Sequence, residues 1–174
     1  MSIHSYSLKA CYDALGWTES QIKAMMLVPK ITGGLSALGS SYIIYDILKA
    51  ERKRQSQYHR IMVAMSLLEF LVSFFGHFLS SWPMPKGYQM YAVGNDISCG
   101  IASFFYILGM LGTPLYNCSL VTHYTLVIKQ KWSKDDIQVI EKWYHIIPST
   151  ICVTMAILPF ALGVNGPAIG FLCW

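Results

Sequence analysis

Four long stretches of the chain are apolar on every side, and the charged residues gather in the segments between them. Ile97 to Ile128 holds no Asp, Glu, Lys or Arg, and neither does Trp143 to Val164. Ile31 to Leu48 holds only Asp46, and Ile61 to Trp82 only Glu69. An α-helix rises about 1.5 Å per residue, so about 20 residues cross the roughly 30 Å hydrocarbon core of a bilayer. A soluble-bundle helix would carry an apolar stripe and a charged face. A membrane β-barrel would alternate with period two. Neither pattern is present. The chain therefore reads as an all-α membrane protein with four transmembrane helices, approximately at 25–49, 61–82, 97–128 and 143–164. A short polar segment, 1–24, precedes the bundle at 25–174. That segment lacks the apolar run of a cleavable signal peptide, so the first helix is expected to act as its own insertion signal.

Composition agrees with this reading. Hydrophobic residues make up 54% of the 174 and charged residues 13%, where soluble domains carry about 25% charged residues. The distribution of Lys and Arg sets the orientation. Lys49, Arg52, Lys53, Arg54 and Arg60 fall between the first and second stretches, and Lys129, Lys131, Lys134 and Lys142 between the third and fourth. Only Lys9, Lys23, Lys30 and Lys86 fall on the other side. The basic side is expected to be cytosolic, with the N-terminus and the 82–98 loop outside. Basic juxtamembrane loops of this kind face anionic lipid, so the net charge of +4 reflects topology and no nucleic-acid partner is expected.

Cys99 and Cys173 each lie at the outer end of an apolar stretch, on the side where disulfides persist. Their positions suggest a bridge from the top of the third helix to the loop after the fourth. Cys11 is also outside and has no obvious mate, while Cys118 and Cys152 lie inside helices and read as packing residues. No cluster has metal-ligand spacing, and no nucleophile–base pair or phosphate loop is present. No enzyme, cofactor or metal is expected.

Polar residues inside the apolar stretches are the candidate chemistry. Glu69 lies about 12 Å from the inner end of its helix, at the depth of Ser40 in the first helix, and Asn117 lies about 16 Å deep. A shared hydrogen-bond network of Ser40, Glu69 and Asn117 is expected. Ionisable groups at such depth face a partner or a wet cavity, so Glu69 reads either as a static, satisfied contact or as a proton-linked switch. Gly33, Ala37 and Ser41 recur every fourth residue, a spacing that permits close helix packing or dimerisation through helix one. The third stretch carries Tyr106, Thr113, Tyr116, Asn117, Thr122, His123 and Tyr124, too many polar groups for a lipid-facing span. It is expected to be the central helix, kinked at Pro114. The sequon Asn117-Cys-Ser119 should stay unmodified inside it. Ser133-Lys-Asp-Asp136 has the form of a capping box, with Asp in place of Glu, and is expected to start a short helix before the fourth span.

Four local patterns, in order, resemble G-protein-coupled receptors of the secretin/adhesion and slime-mould cyclic-AMP receptor type. They are Leu35-Ser-Ala-Leu-Gly-Ser40 followed by Ile43-Ile44, and Arg60-Ile-Met-Val-Ala-Met-Ser66 with the acid Glu69. Cys99 then opens a helix containing Tyr116-Asn117, and Cys173-Trp174 follows the fourth helix. The acidic-Arg-Tyr triplet of rhodopsin-like receptors is replaced by Thr122-His123-Tyr124, and the Glu-Gly-Leu-Tyr run of secretin receptors is missing. With about 30 residues before helix one, the cyclic-AMP-receptor-like branch is the nearest. The resemblance covers roughly Ile31 to Trp174. It implies the first half of a seven-helix bundle in the plasma membrane, a partial receptor that signals through a heterotrimeric G protein when helices five to seven are supplied. It also makes Arg60, His123 and Tyr124 signalling candidates at the cytosolic end, although His123 also reads as a plain interfacial histidine. Two other readings stand beside it: a stand-alone four-helix interaction partner or receptor-assembly modulator, and a transporter or channel fragment with Glu69 on an ion path.

Overall fold

The computed structural model of the chain describes residues 16–86, 91–164, 166 and 173, the side chains of Lys134 and Asp135 excepted. Four long helices run back and forth. Helix α1 spans Glu19–Lys49 and a short α2, Glu51–Arg54, turns the chain. Helix α3 spans Gln57–Leu71 and continues as a π-helix over Val72–Phe78. Helix α4 spans Asp96–Tyr124 and ends in a π-turn over Thr125–Lys129, and α5 spans Lys134–Ala161. Among the described residues there is no β-strand, only an isolated bridge between Pro85 and Gly94.

Local sequence explains the helix ends. Thr18, Asn95 and Ser133 each open a helix with a reciprocal capping box, closed by Gln21, Ser98 and Asp136. Each box satisfies backbone N–H groups that a helix start leaves without partners. The Ser133 box does not start a separate short helix, as expected above. It starts α5 itself, which runs unbroken through Lys142-Trp143-Tyr144 into the apolar stretch. Helix α5 stops at Gly163, whose φ of 64° favours glycine. There Gly163 N–H donates to the Phe160 carbonyl and Val164 N–H to Pro159, the Schellman arrangement. The start of α1 at Glu19 takes helix into the 1–24 segment expected to precede the bundle.

Among the described residues, three helices are long and apolar enough to cross a membrane: Gln57–Phe78, Asp96–Lys129 and Asp136–Ala161. Their mean hydropathies are 1.8, 1.5 and 1.5. Helix α1 has the length, but Lys30, Asp46 and the glycines and serines between them dilute its apolar character. The burial pattern also fits lipid surroundings. Serines 40, 66, 73, 103 and 119 are buried, while Leu35, Leu38, Ile97, Val121, Ile147 and Leu158 face outward. Soluble proteins place these residue types the other way round.

Helix α4 is the central element. Of its apolar window 39% is buried, against 28% for the second span and 22% for the last. It packs closely on α3 because Gly109 has no side chain. A Cβ there would lie 2.5 Å from the Leu68 carbonyl oxygen and 2.7 Å from the Val72 nitrogen. A cluster of Ile61, Leu68, Tyr116 and Tyr144 joins α3, α4 and α5 below this point. Helix α1 meets α3 through Gly33, where a Cβ would lie 2.5 Å from the His77 Cβ. The small-residue face of helix one is thus occupied within the chain, with Gly33 and Ala37 buried and Ser41 donating back to the Ala37 carbonyl at 2.7 Å.

Candidate functional site

At the end expected above to face outward, the outer end below, Cys99 and Cys173 are joined by a disulfide with Cα atoms 5.3 Å apart. Cys99 sits in the first turn of α4, and the bridge packs with Met84 and Ala102. Ser98 ties this turn to the preceding loop by donating to the Pro83 carbonyl at 2.8 Å. Cys152 is buried as expected of a packing residue, but Cys118 is exposed on the outward face of α4. Cys11 and Trp174 lie outside the described residues.

Within the apolar zone the predicted network takes another form. Glu69 accepts from the Ser36 hydroxyl at 3.2 Å and from Ser73 at 3.3 Å, and Ser73 donates to Ser36 at 2.9 Å. Ser40 is buried one turn further along α1 and is not bonded to Glu69. Asn117 is exposed and takes no part. Counting residues from the inner boundary placed Ser40 at the right level only if α1 and α3 started at one height. The helices pack one turn out of that register, so Ser36 meets the carboxylate. Asn117 follows Tyr116, which faces inward, and about 100° of rotation per residue takes it off the buried face of α4. Polar contacts between α4 and α5 are carried instead by the pair Tyr116–Ser149, 3.0 Å apart, and by Ser119, which donates to the Tyr144 carbonyl at 3.3 Å. The sequon is helical, as expected.

The opposite end, expected above to be cytosolic and called the inner end below, brings Arg60, His123 and Tyr124 near one another. Arg60, in the first turn of α3, directs Nε and Nη2 at Glu141 of α5, each 2.5 Å from Oε1. Its Nη1 donates to the carbonyls of Arg54 and Gln55 at 3.3 and 3.1 Å. One guanidinium therefore ties the α2 turn to both long helices, a use of its fixed fork of donors. Gln57 adds a second link by donating to the Ile137 carbonyl at 3.2 Å. His123, 8% exposed, meets the Tyr144 ring edge-on at a centroid distance of 6.2 Å. The His123 Nδ1 and the Tyr144 hydroxyl have no hydrogen-bond partner among the described residues. Tyr124 packs against Tyr58 at 5.4 Å. Arg52, Tyr58, Arg60, His123, Trp132 and Glu141 line a cavity of about 610 Å³ between the helix ends.

Glu141, Gln57 and Tyr58 were not among the residues singled out from sequence. Glu141 had a signal, as the last acid before the uncharged part of the fourth stretch. Ser36 had none that set it apart from Ser40. No protein-family model and no curated protein matches the chain.

Proposed function

We propose that the chain is a transmembrane signalling protein of the G-protein-coupled receptor type, nearest the cyclic-AMP-receptor-like branch, and that these residues form its first four helices. Helix α1 is then the fourth span, its polar residues sheltered against α3. The N-terminus lies outside, the plasma membrane is the site of action, and a heterotrimeric G protein is the cytosolic partner. The observation that supports this reading is the arrangement along α4. Its outer end is held covalently through Cys99, and its inner end carries His123 to the cavity framed by Arg60 and Glu141 and Tyr124 against Tyr58. A ligand can bias such a frame only by binding its two arrangements with different affinity.

The transcript tests the proposal. Three further apolar spans following Trp174 in frame are expected of the receptor. A stop codon directly after Trp174 in the mature transcript contradicts it and favours the four-helix interaction partner. That second reading draws on one observation, the exposed apolar face of α1 formed by Leu35, Leu38, Tyr42 and Tyr45. Any homo- or hetero-oligomer through helix one would use that face, since Gly33 and Ala37 are engaged within the chain.

A further inference from the structure

The π-helical stretch of α3 gives this region an unusual surface. Four residues advance an α-helix by more than one turn and a π-helix, at i→i+5, by less than one. The passage from one to the other at Val72 therefore keeps positions 70, 74 and 78 nearly in line. Phe70, Phe74 and Phe78 form a stacked ladder, with centroids 5.5 and 5.6 Å apart and interplanar angles of 8° and 25°. Opposite them α1 offers Ile31, Gly34, Leu35 and Leu38. Gly34 leaves the wall flat, since a Cβ there would lie 3.2 Å from the Phe78 ring. Between the two walls runs a groove of about 500 Å³, bounded by Lys30 at one end and by Ser41 at the other.

The polar groups of this groove lie at its ends. At the outer end the Lys30 ammonium donates to the Leu79 carbonyl at 3.0 Å and sits 4.5 Å from the centre of the Trp82 ring. Lys and Trp are residues of the membrane–water interface. At the inner end the Ser41 hydroxyl is turned back onto its own helix. From Lys30 to Ser41 the groove spans about 16 Å of helix, close to half of a roughly 30 Å hydrocarbon core. It is thus one leaflet long, polar at the interface and apolar below.

We propose that this groove is a binding site for a sterol in the outer leaflet. A sterol is a rigid fused-ring lipid with one hydroxyl at one end, and the groove has one usable polar end, one braced aromatic wall and one aliphatic wall. The stacked phenyl rings brace one another and Gly34 adds no side chain that must reorient, so the aromatic wall loses little freedom on binding. A fused-ring lipid likewise loses far less conformational entropy than an acyl chain held in the same place. The sterol hydroxyl sits beside Lys30 and the Leu79 carbonyl, and its rings lie between Gly34 and Phe74. This assignment rests on the α1 span and the outward N-terminus proposed above, and does not need the receptor reading.

The test uses the full chain in phospholipid nanodiscs containing a photoreactive diazirine sterol, with adducts mapped by peptide mass spectrometry. Adducts are expected within 30–41 and 70–78 and should disappear under excess unlabelled cholesterol. Gly34→Leu fills the groove and is expected to lower labelling there about tenfold, equivalent to about 1.4 kcal/mol. Phe74→Ala, which removes a rung rather than adding bulk, is expected to lower it too and covers the case in which Gly34→Leu fails to fold. Labelling spread evenly over the outward faces of α4 and α5 overturns the proposal. So does labelling of the groove that phosphatidylcholine displaces and cholesterol does not, or labelling unchanged in both variants.

Discussion

The two ends of this bundle are held by different chemistry. At the outer end a covalent bridge, Cys99–Cys173, fixes the first turn of α4, and Ser98 pins that turn to the loop before it. At the inner end, among the described residues, α3 and α5 are joined without a covalent link: by the cluster of Ile61 and Tyr144, the part-exposed ion pair Arg60–Glu141 and the Gln57 contact to the Ile137 carbonyl, beside an open cavity. A disulfide contributes about 2–4 kcal/mol and cannot open without a reductant, whereas a partly exposed ion pair contributes about 1 kcal/mol or less. Between them lies the close approach of α4 to α3 at Gly109. The molecule therefore has a covalently fixed end, a tight crossing and a noncovalently held end.

The crossing gives the largest expected effect. Gly109→Val places side-chain atoms against the Leu68 carbonyl and the Val72 nitrogen, which are backbone and cannot step aside. A loss of about 3 kcal/mol is expected from such overpacking. It should show as a large drop in melting temperature and in the monodisperse fraction in detergent. A variant as stable as the parent would mean that α3 and α4 do not cross closely here. Comparable in size is the paired change Cys99→Ser with Cys173→Ser, expected to cost about 2–4 kcal/mol. The loss should be matched by adding reductant to the parent, and equal melting of oxidised and reduced protein would remove the fixed end.

Much of this layout was legible in the sequence, and the parts that were not have physical reasons. The apolar stretches, the capping motif at Ser133 and the outer cysteines are local signals, and the helices and the bridge appear where those signals lie. The π-helical run at Val72–Phe78 was not legible, because periodicity cannot betray a change of helical repeat in a segment that is apolar on all sides. The partner of Glu69 was missed by one turn, Ser36 for Ser40, because residue counting measures depth along each helix but not the offset between helices. Asn117 was drawn into the network by depth alone, although its rotation about α4 turns it away. Arg60 was recognised through the charge pattern, but Glu141 could be matched to it only once α3 and α5 were side by side.

Smaller changes sharpen the contrast between the ends. Asn95→Ala and Ser133→Ala remove the caps that open α4 outside and α5 inside, and each is expected to cost about 1 kcal/mol. With the bridge intact, the loss at Asn95 should raise amide exchange only in the first turn of α4. The loss at Ser133 should loosen the start of α5 and the cavity beside it. Spread of the Asn95 effect along α4 would show that the disulfide does not localise it. Glu141→Gln should have the smallest effect on stability, about 0.5 kcal/mol, yet it should raise the reactivity of a single cysteine placed at Gln138 toward a soluble maleimide. Unchanged reactivity would mean that the ion pair does not hold the inner end closed.

Hydrogen exchange along α4 itself tests the contrast most directly, because one helix carries both ends. With the chain in nanodiscs and the disulfide intact, amides of residues 99–106 should exchange at least about tenfold more slowly than those of 117–124, which corresponds to about 1.4 kcal/mol in local opening. Reduction of Cys99–Cys173 should erase most of that difference by speeding the outer half alone. Equal protection of the two halves before reduction, or no change in the outer half after it, would contradict the account.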